Sequence, residues 1–152
     1  MHRINVLISS CLYGDFCRYD GKSNYIPSVI ELKKYCHLIK ACSEQLGGLP
    51  TPRTPCEIIG ARVISKTGED CTKEFKSGAE QVLFIAKENN CKYALLKQRS
   101  PSCGAGKVYD GTFSGTIIDG YGITAALLKK NGIRVFNETN VSSLLELLQN
   151  LQ

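Results

Sequence analysis

Four apolar runs of strand length alternate with stretches of helical periodicity, and this alternation constrains the chain more than any other feature. The runs cover 4–9, 36–41, 93–96 and 133–136. Between them the sequence predicts a helix over 28–35, with Pro27 at its first turn, and a long helix over 72–90. The long one carries Phe75, Ala79, Val82, Leu83 and Ala86 at helical spacing and is locally weakened by Gly78. Two more helices are expected over 122–131, closed by Asn131-Gly132, and over 140–151, capped by Asn140 or Ser142. An edge strand is expected over 61–65, closed by Thr67-Gly68. Strands that are apolar on both faces and separated by helices form parallel sheets covered on both sides. The expectation is therefore one α/β domain over 1–152, a mostly parallel open sheet with helices on both faces. A chain of 152 residues buries a sufficient core for this without covalent staples.

In open sheets of this kind ligands bind beyond the carboxyl ends of the strands, near the point where strand order reverses. The first three runs each break off at a cysteine. The first leads into Ser10-Cys11-Leu12-Tyr13-Gly14, the second into Cys42-Ser43-Glu44-Gln45-Leu46-Gly47-Gly48, and the third, through Lys97-Gln98-Arg99-Ser100-Pro101-Ser102, into Cys103-Gly104. Cys11, Cys42 and Cys103 are thus expected to face one crevice, with Gly14, Gly47, Gly48 and Gly104 letting backbone approach a bulky ligand. Three thiolates in one pocket repel one another unless a cation compensates them. They suit a cubane iron–sulfur cluster with one iron left open, or a zinc ion with an open position. The wide spacings match neither a zinc ribbon nor a ferredoxin run, so spacing alone prefers neither.

Eight cysteines is a high count for a chain of this size, and in a reducing compartment they are metal ligands, catalytic groups or small core residues rather than disulfides. Cys36, Cys71 and Cys91, away from glycine-rich loops, read as core packing. Cys17 shares the loop of Cys11 and Cys56 follows the proline loop, so either can line the crevice, although both are read as packing. The net charge of +5 comes from scattered Lys and Arg whose longest runs are pairs, so no nucleic-acid polymer is expected as a partner. No stretch nears the ~18 apolar residues of a membrane span, and the N-terminal run is too short for a signal peptide. A cytoplasmic location follows as the expectation.

Glu44, two residues past Cys42, is a candidate proton-transfer group. Ser100 and Ser102, flanking Pro101 beside Cys103, are candidate hydroxyl donors to a ligand. The segment Leu49-Pro50-Thr51-Pro52-Arg53-Thr54-Pro55 reads as an ordered loop presenting Arg53. Gly104-Ala105-Gly106-Lys107 is not a phosphate loop, because Pro101 stands where a glycine is needed and Val108 where a hydroxyl is needed. The glycine-bearing turn Asp110-Gly111-Thr112-Phe113-Ser114-Gly115-Thr116 is expected to shape the rim of the site, and His2 and His37 are read as structural.

Taken together, Ser10-Cys11-Leu12-Tyr13-Gly14 with Cys17-Arg18-Tyr19-Asp20-Gly21, Cys42-Ser43-Glu44 with Gly47-Gly48-Leu49-Pro50-Thr51-Pro52-Arg53, Ser100-Pro101-Ser102-Cys103-Gly104, and Tyr109 to Gly115 give a chain that closely resembles the thiouracil desulfidase family. The resemblance runs over nearly the whole length. It implies a [4Fe–4S] cluster held by Cys11, Cys42 and Cys103, with the fourth iron free to take sulfur from a small thiolated nucleobase such as 2-thiouracil. It further implies non-redox hydrolysis to uracil and hydrogen sulfide, with Glu44 as acid/base and Ser100 or Ser102 as the positioning hydroxyl. A thiocarbonyl sulfur is soft and prefers iron to hard cations, and binding there activates its carbon toward water. The family usually has proline after its second cysteine; here Ser43 stands in its place. The alternatives are a non-catalytic iron–sulfur or zinc protein that binds or senses. The preferred base and the oligomeric state are left open by the sequence.

Overall fold

A computed structural model describes residues 3–152, so His2 lies outside the described residues. In chain order the elements are β1 (Ile4–Ser9), α1 (Ser10–Tyr13), α2 (Ser28–Leu32), β2 (Cys36–Ala41), α3 (Ser43–Leu46), β3 (Cys56–Ile59), β4 (Arg62–Ser65), α4 (Thr72–Glu88), β5 (Tyr93–Leu96), β6 (Ala105–Tyr109), β7 (Ile117–Tyr121), α5 (Ile123–Lys130), β8 (Arg134–Asn137) and α6 (Val141–Asn150). The four apolar runs become a parallel sheet in the order β2-β1-β5-β8, as the alternation predicts. From β1 the chain steps outward to β2, then crosses back past β1 to β5. The order therefore reverses between β1 and β5, and the crevice of an open α/β sheet opens at that point.

Side chains alternate across each strand, so each strand feeds two cores. Val6, Ile8, Leu95 and Phe136 point to one face, where Leu12 of α1, Val29 and Leu32 of α2, and Leu144 and Leu148 of α6 cover them. Leu7, Ala94 and Leu96 point to the other, against Val82 and Ala86 of α4 and Ala125 and Leu128 of α5. Leu144 and Leu148 are wholly buried, and truncating such a leucine to alanine costs roughly 2–5 kcal/mol.

Departures from the expected elements are local. The helix expected over 28–35 ends at Leu32 and continues as a turn, and the long helix ends at Glu88, with Asn90 in the left-handed region at φ 53°. Residues 62–65 are not an edge of the main sheet. They pair antiparallel with β3 across the two-residue turn at Gly60-Ala61 and form a separate hairpin. A second separate hairpin, β6 with β7, has the 110–116 turn as its tip. Gly104-Ala105-Gly106-Lys107 runs into β6, so extended strand occupies the place a phosphate loop would need. Among the described residues no helix is long and apolar enough to cross a membrane.

Candidate active site

The carboxyl ends of β1, β2 and β5 open into a cavity of about 470 Å³, and its walls include Cys11, Cys42, Cys103, Glu44 and Ser100. Cys11 sits in α1, a single turn that Gly14 ends in the left-handed region at φ 119°. The Cys11 carbonyl accepts the Gly14 and Asn24 amides at 3.2 and 2.9 Å, which pins the turn to the following loop. Cys42 occupies the N-cap position of α3, and its carbonyl accepts the Leu46 amide at 3.0 Å. Helix α3 lies directly on α4: a Cβ on Gly78 would stand 1.9 Å from the Ser43 carbonyl oxygen, and one on Gly47 would stand 2.0 Å from that of Glu74. Gly78, a local weakness within a helix, is thus what lets the Cys42 turn seat against the scaffold. Neither it nor Gly14, Gly47, Gly48 or Gly104 lines the cavity. The expected approach of these glycines to a ligand is replaced by turn geometry and helix contact.

The third cysteine is held from behind by α5. The Ser102 carbonyl accepts the Thr124 and Ala125 amides at 2.9 and 3.2 Å, and the Gly104 carbonyl accepts the Gly122 amide at 2.8 Å. Within the loop the Ser100 hydroxyl oxygen accepts the Ser102 and Cys103 amides, both at 3.1 Å. The backbone orientation of Cys103 is therefore set by Ser100.

The three thiols differ electrostatically. The Cys17 thiol beside Cys42 pulls it down to about 7 against the effect of burial, and the same thiol lowers Cys11. Cys17 itself is pushed strongly upward by its two sulfur neighbours and stays protonated. Burial pushes Cys103 up to about 12, with the nearby Ser9 hydroxyl acting in the opposite direction. Glu44, in the first turn of α3, is ion-paired with Arg53, whose side chain is only 5% exposed. Arg53 is fixed in turn by the Cys17 carbonyl at 2.9 Å, the Thr51 hydroxyl at 3.0 Å and the Pro50 carbonyl at 3.2 Å. Such multiple donation exploits the rigid fork of a guanidinium.

With three cysteines and a held carboxylate around one cavity, comparison with known proteins is decisive: residues 6–140 match the 2-thiouracil desulfurase family. The chain belongs to this family. It is 44% identical to the uncharacterized protein YbbK of Bacillus subtilis (strain 168), over 92% of this chain and 99% of that one. It also superposes on the solved structure of a [4Fe-4S]-dependent thiouracil desulfidase, TudS, with a TM-score of 0.92 and 40% identity, covering 99% of this chain and all of that one. The α/β architecture with a parallel sheet is therefore the fold of this desulfurase-family chain and of TudS alike.

The remaining predicted residues divide by position. Ser100 faces the cavity, whereas Ser102 is wholly buried behind it, bonded to the hydroxyls of Ser43 and, at 2.7 Å, of Thr124. Cys17 and Cys56 are buried and also line the cavity. Cys36 and Cys91 pack in the two cores flanking the sheet, and Cys71 packs with Cys56, Val63 and Phe75. His37 is exposed on β2. Phe113 and Gly115 of the 110–116 turn reach the cavity wall, and Glu57 holds that turn by accepting the Gly111 and Phe113 amides at 2.9 and 3.2 Å. Reading the sequence did not assign Arg53 to Glu44 or Cys17 to the sulfurs of Cys11 and Cys42. The only signals were an arginine fixed among prolines and a second cysteine in the Cys11 loop.

Proposed function

We propose that this protein hydrolyses the C–S bond of a small thiolated nucleobase such as 2-thiouracil, giving uracil and hydrogen sulfide, with a [4Fe–4S] cluster held by Cys11, Cys42 and Cys103. The observation that carries the reading is the convergence of these three cysteines, from three strand ends, on one cavity that also holds Glu44. The donor set fits the group. Cys11, Cys42 and Cys103 bring three soft thiol donors from three chain segments to one cavity, the donor type that iron–sulfur clusters take. When bound, the cluster supplies an open, sulfur-seeking iron that acts as a Lewis acid on the thiocarbonyl.

The chain's own groups do the rest. Arg53 holds Oε2 of Glu44, which leaves the other carboxylate oxygen to take a proton from an attacking water. The Ser100 oxygen already accepts two amides, and its own proton finds no acceptor among the described residues. That proton is left to hydrogen-bond the base, so of the two candidate serines Ser100 is assigned the positioning role. Eight cysteines, all present as free thiols, support a reducing, cytoplasmic setting for this chemistry.

Anaerobic reconstitution, followed by iron, acid-labile sulfide and sulfide-release measurements with 2-thiouracil, tests the reading. Iron and labile sulfide in roughly equal amounts with turnover of the thiobase is the expected result. A loaded protein that releases no sulfide from any thiolated base is a binding or sensing protein, and one that takes up zinc alone has no cluster site.

A further inference from the structure

Beside Cys103 lies a line of three buried hydroxyls: Thr124, Ser102 and Ser43 are 0%, 0% and 1% exposed, and Ser43 also belongs to the cavity wall. Thr124 bonds Ser102 at 2.7 Å, Ser102 bonds Ser43, and the Ser43 oxygen stands 4.0 Å from the Cys103 sulfur. The line joins the start of α5, the Cys103 loop and the Cys42 turn.

Three hydroxyls carry three protons, and the two links between them use two. Among the described residues the third proton has one side-chain acceptor, the Cys103 sulfur. The opposite polarity would point the Thr124 proton away from Ser102, where no partner is found, and leave a buried donor unsatisfied. Ligation removes the ambiguity at the sulfur, because a thiolate has no proton and can only accept. The bonds then run Thr124 to Ser102 to Ser43 to Cys103, all dipoles aligned and each bond strengthening the next.

We propose that Ser43 is a positioning residue that delivers this aligned hydroxyl donor to the Cys103 sulfur and so tunes the metal group bound there; the inference rests on Cys103 being a cluster ligand. Hydrogen bonds to ligand sulfurs help set the potential of an iron–sulfur cluster. Reduction adds negative charge, and a donor stabilises the more negative state more.

The test compares reconstituted wild-type, Ser43→Ala and Thr124→Val proteins by iron and labile-sulfide content and by the midpoint potential of the cluster. Ser43→Ala is expected to load iron fully, because only one oxygen is removed, and to show a lower midpoint potential. Thr124→Val should shift it the same way but less, since Ser102 still donates to Ser43. Loaded Ser43→Ala with the parent potential overturns this inference and leaves the cluster assignment standing. A wild-type protein that takes up no iron overturns the cluster assignment and this inference with it. Should Ser43→Ala fail to load, an unshifted potential in loaded Thr124→Val overturns the relay.

Discussion

Cys42 and Cys103 reach one cavity from opposite sides of the point where strand order reverses, and their surroundings are opposite in kind. Cys42 begins a helical turn beside the Cys17 thiol, which brings it down to about 7. Cys103 is backed by hydroxyls and apolar core, and burial takes it up to about 12. The same residue type at equivalent strand ends therefore offers a partly ionised thiol on one side and a neutral one on the other. Were both to hold the cluster proposed above, each would be needed as a thiolate, and for Cys103 the metal's positive charge would supply the compensation that burial withholds.

The largest effect expected is the loss of that shared function. Cys11→Ala, Cys42→Ala and Cys103→Ala should each abolish cluster loading, because three protein ligands leave none to spare. Visible absorption and iron content after anaerobic reconstitution decide it. Full iron in any one variant removes that cysteine from the ligand set.

A smaller effect separates the chemistry on the Cys42 side from the metal itself. Glu44→Gln keeps the shape of the side chain and removes its ability to take a proton. It should retain iron while turnover falls by about 10²-fold or more, the usual contribution of a general base. Arg53→Met should lower turnover less, because the carboxylate survives but loses its anchor. Single-turnover sulfide release normalised to iron reads both, and an unchanged rate for Glu44→Gln would take Glu44 out of the mechanism.

The contrast between the two cysteines is tested most directly in the metal-free protein. Near neutral pH Cys42 is expected to carry more thiolate than Cys103, which stays a thiol, and only the thiolate alkylates readily. Brief iodoacetamide treatment followed by peptide mass analysis should label Cys42 well ahead of Cys103. Lowering the pH toward 5.5 protonates Cys42 and should suppress its labelling. Equal labelling of the two at pH 7 would show that their environments do not differ as described.

How much of this could be read in advance depended on whether a residue's role is set along the chain or through space. The parallel sheet was legible because each strand is an apolar run of its own, and the meeting of Cys11, Cys42 and Cys103 at one cavity was legible because each follows the carboxyl end of a strand. Arg53 and Cys17 act on groups 9 and 25 residues away, Glu44 and Cys42 respectively, through contacts that no periodicity encodes. Gly47 and Gly78 look alike whether backbone meets a ligand or another helix, and only the packing of α3 on α4 tells which. Strand β7 was not legible because its residues are largely exposed and show no buried stripe.

The smallest effect concerns cysteines at the other end of the same strands. Cys36 opens β2, six residues and about 20 Å of extended chain from Cys42. It is 1% exposed, and its thiol donates to the Leu32 carbonyl at 3.3 Å. Cys91 lies just before β5, packed among Ala86, Ala94 and Leu128. Burial pushes both thiols up to about 11, so neither is ionised at neutral pH, and each behaves as a small apolar residue. Replacing either with alanine removes one sulfur atom from a packed core and should cost on the order of 1 kcal/mol. The loss should appear as a lower urea midpoint at unchanged slope, the sign of altered stability without altered compactness. Cys36→Ala should cost somewhat more, since it also gives up the bond to Leu32. Iron content and turnover per iron should match the parent in both variants. Loss of iron in either would mean that the two ends of the sheet are coupled and that these thiols do more than pack.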